Sequence, residues 1–183
     1  LFTCLVADIT QRKAMEDRLR DAECRYRDLV ETAHDMVWTL DTQGRLTYLN
    51  KACEGIYGYP ADAMLHHQLH EYRSPDHPPV DQQAIMQLIQ GEETVQFETV
   101  HLDRDNRPHF LSFSARSHKD AGGHVMHISG TARDITEQKA FQHQLSYHAE
   151  HDPLTGLFNR HYFQEELERT VARVARRGSD CAL

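Results

Sequence analysis

The sequence predicts an α+β domain in which five strands form one antiparallel sheet with helices on one face. Two observations lead to this class. Strand-like apolar runs come first as a pair and later as a set of three, with short helical stretches and one longer helix between them. The turns between neighbouring runs are rich in Gly, Asp and Asn, which tight hairpins prefer. Charged connector helices are predicted on both sides of the sheet-forming part, at 11–30 and 137–150.

Composition limits the function. The chain has 183 residues and 39% hydrophobic content, which is enough for a real core. A net charge of −8, from 20 basic and 28 acidic residues, argues against a nucleic-acid or anionic-membrane partner. No segment approaches the roughly 20 apolar residues that cross a bilayer. We expect a cytoplasmic protein; a start at Leu1 without methionine is typical of a piece of a longer protein, which leaves a membrane tether upstream open.

Cysteine and histidine spacing predicts no metal site. The four cysteines are scattered without a Cys-x-x-Cys pair, so neither structural zinc nor a redox motif is indicated. His66, His67 and His70 are close in sequence, and we interpret them as a solvated surface group.

A tripeptide occurs twice, as Asp8-Ile9-Thr10 and as Asp134-Ile135-Thr136, 126 positions apart. In each copy an apolar run precedes the tripeptide and a charged helical run follows it, so the threonine is placed as a helix N-cap. Both copies therefore predict a junction from strand to helix. We interpret 1–10 as the end of a preceding domain and the second copy as the signal junction.

The first connector helix carries an apolar stripe with 4, 3, 4, 3 spacing, which is the a/d pattern of a coiled coil. Its members are Met15, Leu19, Ala22, Tyr26 and Leu29. The stripe either packs on the core of its own domain or pairs with a second chain. We predict the second outcome, a parallel homodimer.

The first half of the sheet domain begins with a hairpin. Apolar runs at 36–40 and 46–49 flank a turn that ends at Gly44. Residues 51–64 predict two or three short helices, because Gly58 and Pro60 interrupt them.

The second half begins with a proline-rich stretch, 73–79, whose interior cannot be helical. A longer helix then starts near Val80 and ends at Gly91. Strands are predicted at 94–102, 108–115 and 124–132, and they form an antiparallel meander.

Taken together, residues 24–136 resemble a PAS sensor domain. The resemblance rests on Tyr48-Leu49-Asn50, Gly58-Tyr59, Ser74-Pro75-Asp76, Gly91-Glu92 and Arg133-Asp134-Ile135-Thr136. One departure is Asp105-Asn106, where the family usually turns on Asp-Gly; Asn tolerates positive φ, so the hairpin should form. The same resemblance implies that 1–10 are the exit of an earlier PAS-like domain.

Residues 151–183 resemble the start of a GGDEF domain, the diguanylate cyclase domain that makes cyclic di-GMP from GTP with Mg²⁺. The resemblance rests on Asp152, Leu154, Thr155, Gly156, Leu157, Asn159 and Arg160. It implies that the metal carboxylates, guanine contacts and signature turn lie downstream of Leu183. We therefore predict no catalytic residue here, and interpret Asp152 and Arg160 as an ion pair at the domain entrance. The full-length protein could instead carry a degenerate cyclase or a phosphodiesterase.

The ligand of the sheet domain is not predicted. No cysteine lies in the motif that flavin-thiol photochemistry needs, and the helix at 80–91 lacks an axial histidine, which disfavours haem. Strand residues that could line a pocket are Trp38, Tyr48, Phe97, Phe113 and His127. The alternative, favoured for each one singly, is ordinary core and surface.

The leading hypothesis is a signal-sensing module that regulates an attached diguanylate cyclase. A ligand-free interaction module that holds two chains together is the competing one. A histidine-kinase output is a further alternative, because His148 and His151 follow the second connector helix. Asp152-Pro153 argues against it, since it breaks that helix where a phosphoacceptor would need it intact.

Overall fold

Five antiparallel strands form one sheet, and helices cover one face of it. The computed structural model describes residues 2–153 and 155–177. In chain order the elements are α1 (Phe2–Glu31), β1 (Met36–Leu40), β2 (Leu46–Leu49), α2 (Ala52–Tyr57), α3 (Ala61–Met64), a 3-10 helix (Leu69–Tyr72), α4 (Val80–Ile89), β3 (Thr94–Leu102), β4 (Pro108–Lys119), β5 (Val125–Asp134), α5 (Thr136–Glu150) and α6 (Arg160–Arg177). The chain divides into two units, one that ends at Ile135 and one that begins at Thr136.

The strand order in the sheet is β2-β1-β5-β4-β3. The early hairpin and the later meander join through β1 and β5, where Trp38 pairs with Gly130. This confirms the predicted α+β class. The last two strands were predicted too short, since β4 continues to Lys119 and β5 to Asp134. The added residues are polar, but each of them pairs with a residue of the neighbouring strand. Residues 116–119 of β4 pair with 125–129 of β5, and Arg133 and Asp134 pair with Ser112 and Leu111. This pairing decides the strand ends.

Turn chemistry explains where elements end. Gly58 has φ of +69° and its N–H donates to the Glu54 carbonyl at 2.9 Å, which ends α2. Asn106, the residue that departs from Asp-Gly, has φ of +60°. The Asp103 carboxylate accepts from the Asp105 and Arg107 amides at 2.8 Å each, so this hairpin forms as expected.

The core lies between the inner face of the sheet and the helices α2 and α4. Trp38 is fully buried there, and its indole lies on the Gly130 backbone. A Cβ built at Gly130 would be 2.6 Å from Trp38 Cζ2, so only glycine fits beneath this ring. The Trp38 side chain therefore fills the middle of the sheet face.

The strand predicted for residues 1–9 is wrong, because residues 2–9 belong to α1. The first Asp-Ile-Thr copy is thus helical throughout and is not a strand-to-helix junction. A strand satisfies its backbone only against a neighbouring strand, and none of the described strands pairs with this stretch. The domain assignment of 1–10 stays a prediction.

Asn50 anchors the C-terminal end of α1 to the sheet. Its buried amide donates to the carbonyls of Val30 and Asp35 at 2.9 and 3.1 Å, and its Oδ1 accepts from the Val37 amide at 2.9 Å. The predicted stripe on α1 lies outside this contact. Met15, Leu19, Tyr26 and Leu29 are 62 to 72% exposed. The stripe therefore does not pack on the core of its own domain.

Candidate functional site

Three of the five predicted pocket residues come together inside the domain. The Trp38 and Phe113 rings meet edge to face with centroids 6.0 Å apart, and Phe97 stacks on Phe113 at 4.9 Å. These residues lie on the inner faces of β1, β3 and β4, since Phe97 pairs with Phe113 and Trp38 with Gly130. They form an aromatic cluster in which Trp38 and Phe113 are buried and Phe97 is half-buried.

Tyr48 and His127 lie elsewhere. Tyr48 is on the outer face of β2, where its hydroxyl donates to Glu31 Oε1 at 2.9 Å, and burial raises its pKa to about 12. His127 is exposed on β5 and stacks on His118 with centroids 4.4 Å apart. The structure thus does not bring the five residues to one place, and their role in ligand binding stays a prediction.

A buried polar cluster, which the sequence did not reveal, lies beside the aromatic rings. It consists of Tyr57 on α2, Arg73 before α4, Asp81 on α4 and His101 on β3. Arg73 Nη1 donates to Asp81 Oδ1 at 2.9 Å, and Tyr57 Oη is 2.8 Å from His101 Nδ1. His101 Nε2 is 3.8 Å from Asp81 Oδ2, too far for a hydrogen bond. We call these four residues the polar cluster.

Burial controls the charge of the polar cluster. It lowers the pKa of His101 to about 4, with Asp81 opposing that shift and Arg73 adding to it. Burial also raises the pKa of Tyr57 well above its ordinary value. His101 is therefore neutral near pH 7, and Asp81 and Arg73 form the ion pair.

Some buried atoms of this region have no hydrogen-bond partner among the described residues. They are Arg73 Nε, Asp81 Oδ2, Thr99 Oγ1, His101 Nε2 and, in the aromatic cluster, Trp38 Nε1. Unpaired buried polar atoms are costly, about 1–3 kcal/mol each, and are expected where a site binds or switches. A sequence signal did exist, because Thr99 and His101 occupy alternate positions of β3 on the same side as Phe97.

Open clefts on the described part of the first unit include the following three. One of about 480 Å³ includes Tyr59, Glu71, Tyr72, Arg73 and Asp103, and we call it the Arg73 cleft. Others of about 600 and 360 Å³ lie beside Tyr48 and beside Met86. The Arg73 cleft is distinct because one of its side chains reaches the buried carboxylate of Asp81.

The predicted signal junction is held at several points. The buried Ile135 donates its amide to the Phe110 carbonyl at 2.8 Å. His109 Nδ1 is 2.7 Å from Asp134 Oδ2. One residue earlier, Arg133 binds Asp35 at the start of the sheet domain through Nε and Nη2, at 3.0 and 2.8 Å, which lowers the pKa of Asp35. The end of β5 is therefore fixed directly before α5 begins at Thr136.

The predicted cyclase-opening motif forms a tight loop in the second unit. Asp152 Oδ1 accepts from the Thr155 amide and hydroxyl at 2.9 and 3.0 Å, and Gly156 has φ of +70°. Asn159 caps α6, which starts at Arg160, by accepting from the Tyr162 amide at 2.9 Å. Leu157 is 70% exposed, and Leu154 lies outside the described residues.

None of the described helices is both long and apolar enough to span a bilayer. Within the same part of the chain, no three His, Cys, Asp or Glu side chains are grouped as metal ligands.

Many solved structures share the fold. The PAS domain of an HTR-like protein from Haloarcula marismortui aligns with a TM-score of 0.57 and 23% identity, over 67% of this chain and 99% of that chain. The N-terminal domain of a diguanylate cyclase with PAS/PAC sensor from Marinobacter aquaeolei aligns with a TM-score of 0.53 and 18% identity, over 57% of this chain and 98% of that one.

A curated relative is the methanogenesis regulatory histidine kinase FilI of Methanothrix harundinacea (strain 6Ac), 28% identical over 127 residues and 69% of this chain. The chain spans 21% and 14% of the lengths of the curated relatives it matches. A family model described as PAS fold matches residues 30–140, more than half of the chain. With its five-stranded antiparallel sheet and covering helices, the chain belongs to the PAS family.

Proposed function

We propose that this PAS domain is the cytoplasmic signal input of a longer protein and that it regulates a diguanylate cyclase. The observation that carries the proposal is the fixed junction followed at once by a helix. Because Ile135 is buried and α5 starts at Thr136, a displacement of β5 is passed directly into α5. The loop from Asp152 to Arg160 follows α5, and its sequence resembles a GGDEF opening.

The chemistry belongs to the rest of the longer protein. Mg²⁺ and GTP bind there, and this chain supplies no catalytic residue. The cyclase with PAS/PAC sensor from Marinobacter aquaeolei has the same fold in its N-terminal domain, which supports this pairing of input and output. Cyclic di-GMP forms from two GTP molecules, so two cyclase domains must meet.

The exposed stripe on α1 supports a homodimer. Four large apolar side chains with a/d spacing face solvent, and a second copy of the same helix would cover them. We propose that the dimer brings two cyclase domains together and that the input changes their geometry.

Two other functions have some support. Trp38 fills the sheet face above Gly130, where a ligand inside the domain would have to lie. This supports a ligand-free dimerisation module. The relative FilI is a histidine kinase, which supports a kinase output instead. A phosphodiesterase output, or a small-molecule ligand in one of the open clefts, is compatible with the same input domain.

Insertions into α5 test the proposed regulation in the full-length protein. Four residues inserted after Glu137 should change cyclic di-GMP production from GTP at least threefold, because they rotate whatever follows, whereas seven should leave it nearly unchanged. Equal activity of both variants would contradict helical coupling. Phosphate transfer from ATP to a histidine, without product from GTP, would replace the cyclase with the kinase alternative.

A further inference from the structure

Asp81 is a single buried carboxylate that lies between two groups able to carry a positive charge. Its side chain is fully buried. Arg73 contacts one oxygen at 2.9 Å, and His101 Nε2 is 3.8 Å from the other. A buried carboxylate needs one cation, while a second cation beside it would leave a net positive charge in the core. Arg73 and His101⁺ therefore exclude each other as partners of Asp81.

We propose that the polar cluster is a proton-coupled switch in which Asp81 exchanges Arg73 for a protonated His101. In the state seen here, Arg73 is paired and His101 is neutral. In the second state, the Arg73 guanidinium lies in the Arg73 cleft and His101 has taken one proton from solvent. Both ring nitrogens then donate, Nδ1 to Tyr57 Oη and Nε2 to Asp81 Oδ2.

The backbone geometry allows this exchange without unfolding. Arg73 and His101 form an isolated antiparallel bridge, and the Ser74 amide donates to the Val100 carbonyl at 2.8 Å. These bonds hold the backbone of Arg73 beside β3, so only its side chain has to move. The gap between Nε2 and Oδ2 has to shorten by about 1 Å to reach hydrogen-bond length.

The Arg73 cleft can receive the guanidinium. The side chain of Arg73 is already 19% exposed, and its Nε has no hydrogen-bond partner among the described residues. Glu71 and Asp103 line the same cleft and supply negative charge. The departing guanidinium therefore moves toward water and carboxylates instead of into apolar surroundings.

The groups around His101 set the direction of the coupling. Those facing it are Asp81 from α4, Arg73 from the segment before α4, Tyr57 from α2 and His109 opposite it on β4. Tyr72 packs against Tyr57 in turn. The positive charge of Arg73 lowers the pKa of His101 and Asp81 raises it, so the departure of Arg73 favours protonation. The exchange is thus reciprocal: acid favours the release of Arg73, and release favours proton uptake.

Titration of His101 by NMR tests the switch. In Arg73→Gln, His101 should protonate at a pH at least one unit higher than in the wild type, because Asp81 is left without its cation. The double variant Arg73→Gln/Asp81→Asn should lose most of that rise. Arg133→Gln is the matched control, since it removes an exposed Arg–Asp pair away from the cluster. It should leave the titration midpoint of His101 unchanged. Equal midpoints in the wild type and Arg73→Gln would overturn the proposal.

A second measurement needs no substitution and covers the case in which Arg73→Gln does not fold. In the wild type, exchange of the Arg73 Nε proton with water should accelerate at the same pH at which His101 titrates. An Arg73 Nε proton that stays protected while His101 becomes charged would show that the two groups are not exchanged.

Discussion

The two copies of Asp-Ile-Thr have the same sequence and different structures. The first lies inside α1, and the second joins β5 to α5. At the second copy, β5 pairs with β1 on one side and β4 on the other, and Ile135 is buried. At the first copy, none of the described strands is available as a partner. This tripeptide therefore specifies a helix start only when a sheet has already fixed the residues before it.

The largest expected effect comes from a buried charge at the second copy. Ile135→Asp should lower the free energy of unfolding by about 3 kcal/mol or more, because it places an unpaired carboxylate where a core side chain was. The control Ala14→Asp, at an exposed position of α1, should cost less than about 1 kcal/mol. Urea unfolding of both variants measures the difference, and similar losses would contradict the burial of Ile135.

Acid should lower the stability of the sheet domain, because His101 is buried there. The pKa of His101 is about 4 in the folded state and near 6.5 when exposed, so the unfolded state binds more protons between these values. Stability is full above pH 6.5 and falls as pH drops toward 4, by on the order of 2–3 kcal/mol. In His101→Asn, whose Oδ1 replaces Nδ1 opposite Tyr57, this slope should shrink. An unchanged slope would assign the acid sensitivity to other groups.

The helix that contains the first copy should show its role in association. Leu19→Glu should weaken the dimer at least tenfold while the sheet domain stays folded, because the stripe lies outside its core. Ala14→Glu adds the same charge to the same helix off the stripe and is the control. Sedimentation at several concentrations is the measurement. A wild type that stays monomeric at high concentration would contradict the proposed coiled-coil dimer.

A smaller effect is expected at the threonine of the second copy. Thr136→Ala should loosen the start of α5 by roughly 1 kcal/mol, the usual loss of a helix N-cap, and leave the sheet intact. Hydrogen exchange should be faster in the first turn of α5 than in the wild type, and the exchange rates in β5 should not change. Full protection in that turn would count against a capping role.

The smallest expected signal is an absence of turnover. Purified residues 1–183 should not convert GTP to cyclic di-GMP, since the catalytic carboxylates of the resembled family lie downstream. Turnover that is lost when a residue of this chain is substituted would place the site here instead.

Local patterns predicted most of the sheet and little of the polar cluster. The runs at 36–40, 46–49 and 94–102 are rich in apolar and β-branched residues and end at turn residues, so their strands were predicted with the correct bounds. The polar ends of β4 and β5 were missed because only their pairing with the neighbouring strand marks them as strand. Tyr57, Asp81 and His101 are more than 19 positions apart in sequence, and nothing local indicates that they meet.

The place where β1 begins and the place where β5 ends are side by side, since Met36 pairs with Ala132 and Asp35 binds Arg133. A domain with neighbouring entry and exit points can be spliced into a continuous chain, or removed from it, while the cut ends stay within one strand spacing. Such a module can be duplicated in tandem without redesign of its neighbours. In each inserted copy, the ion pair between Asp35 and Arg133 would then join the entry point of the domain to its exit point.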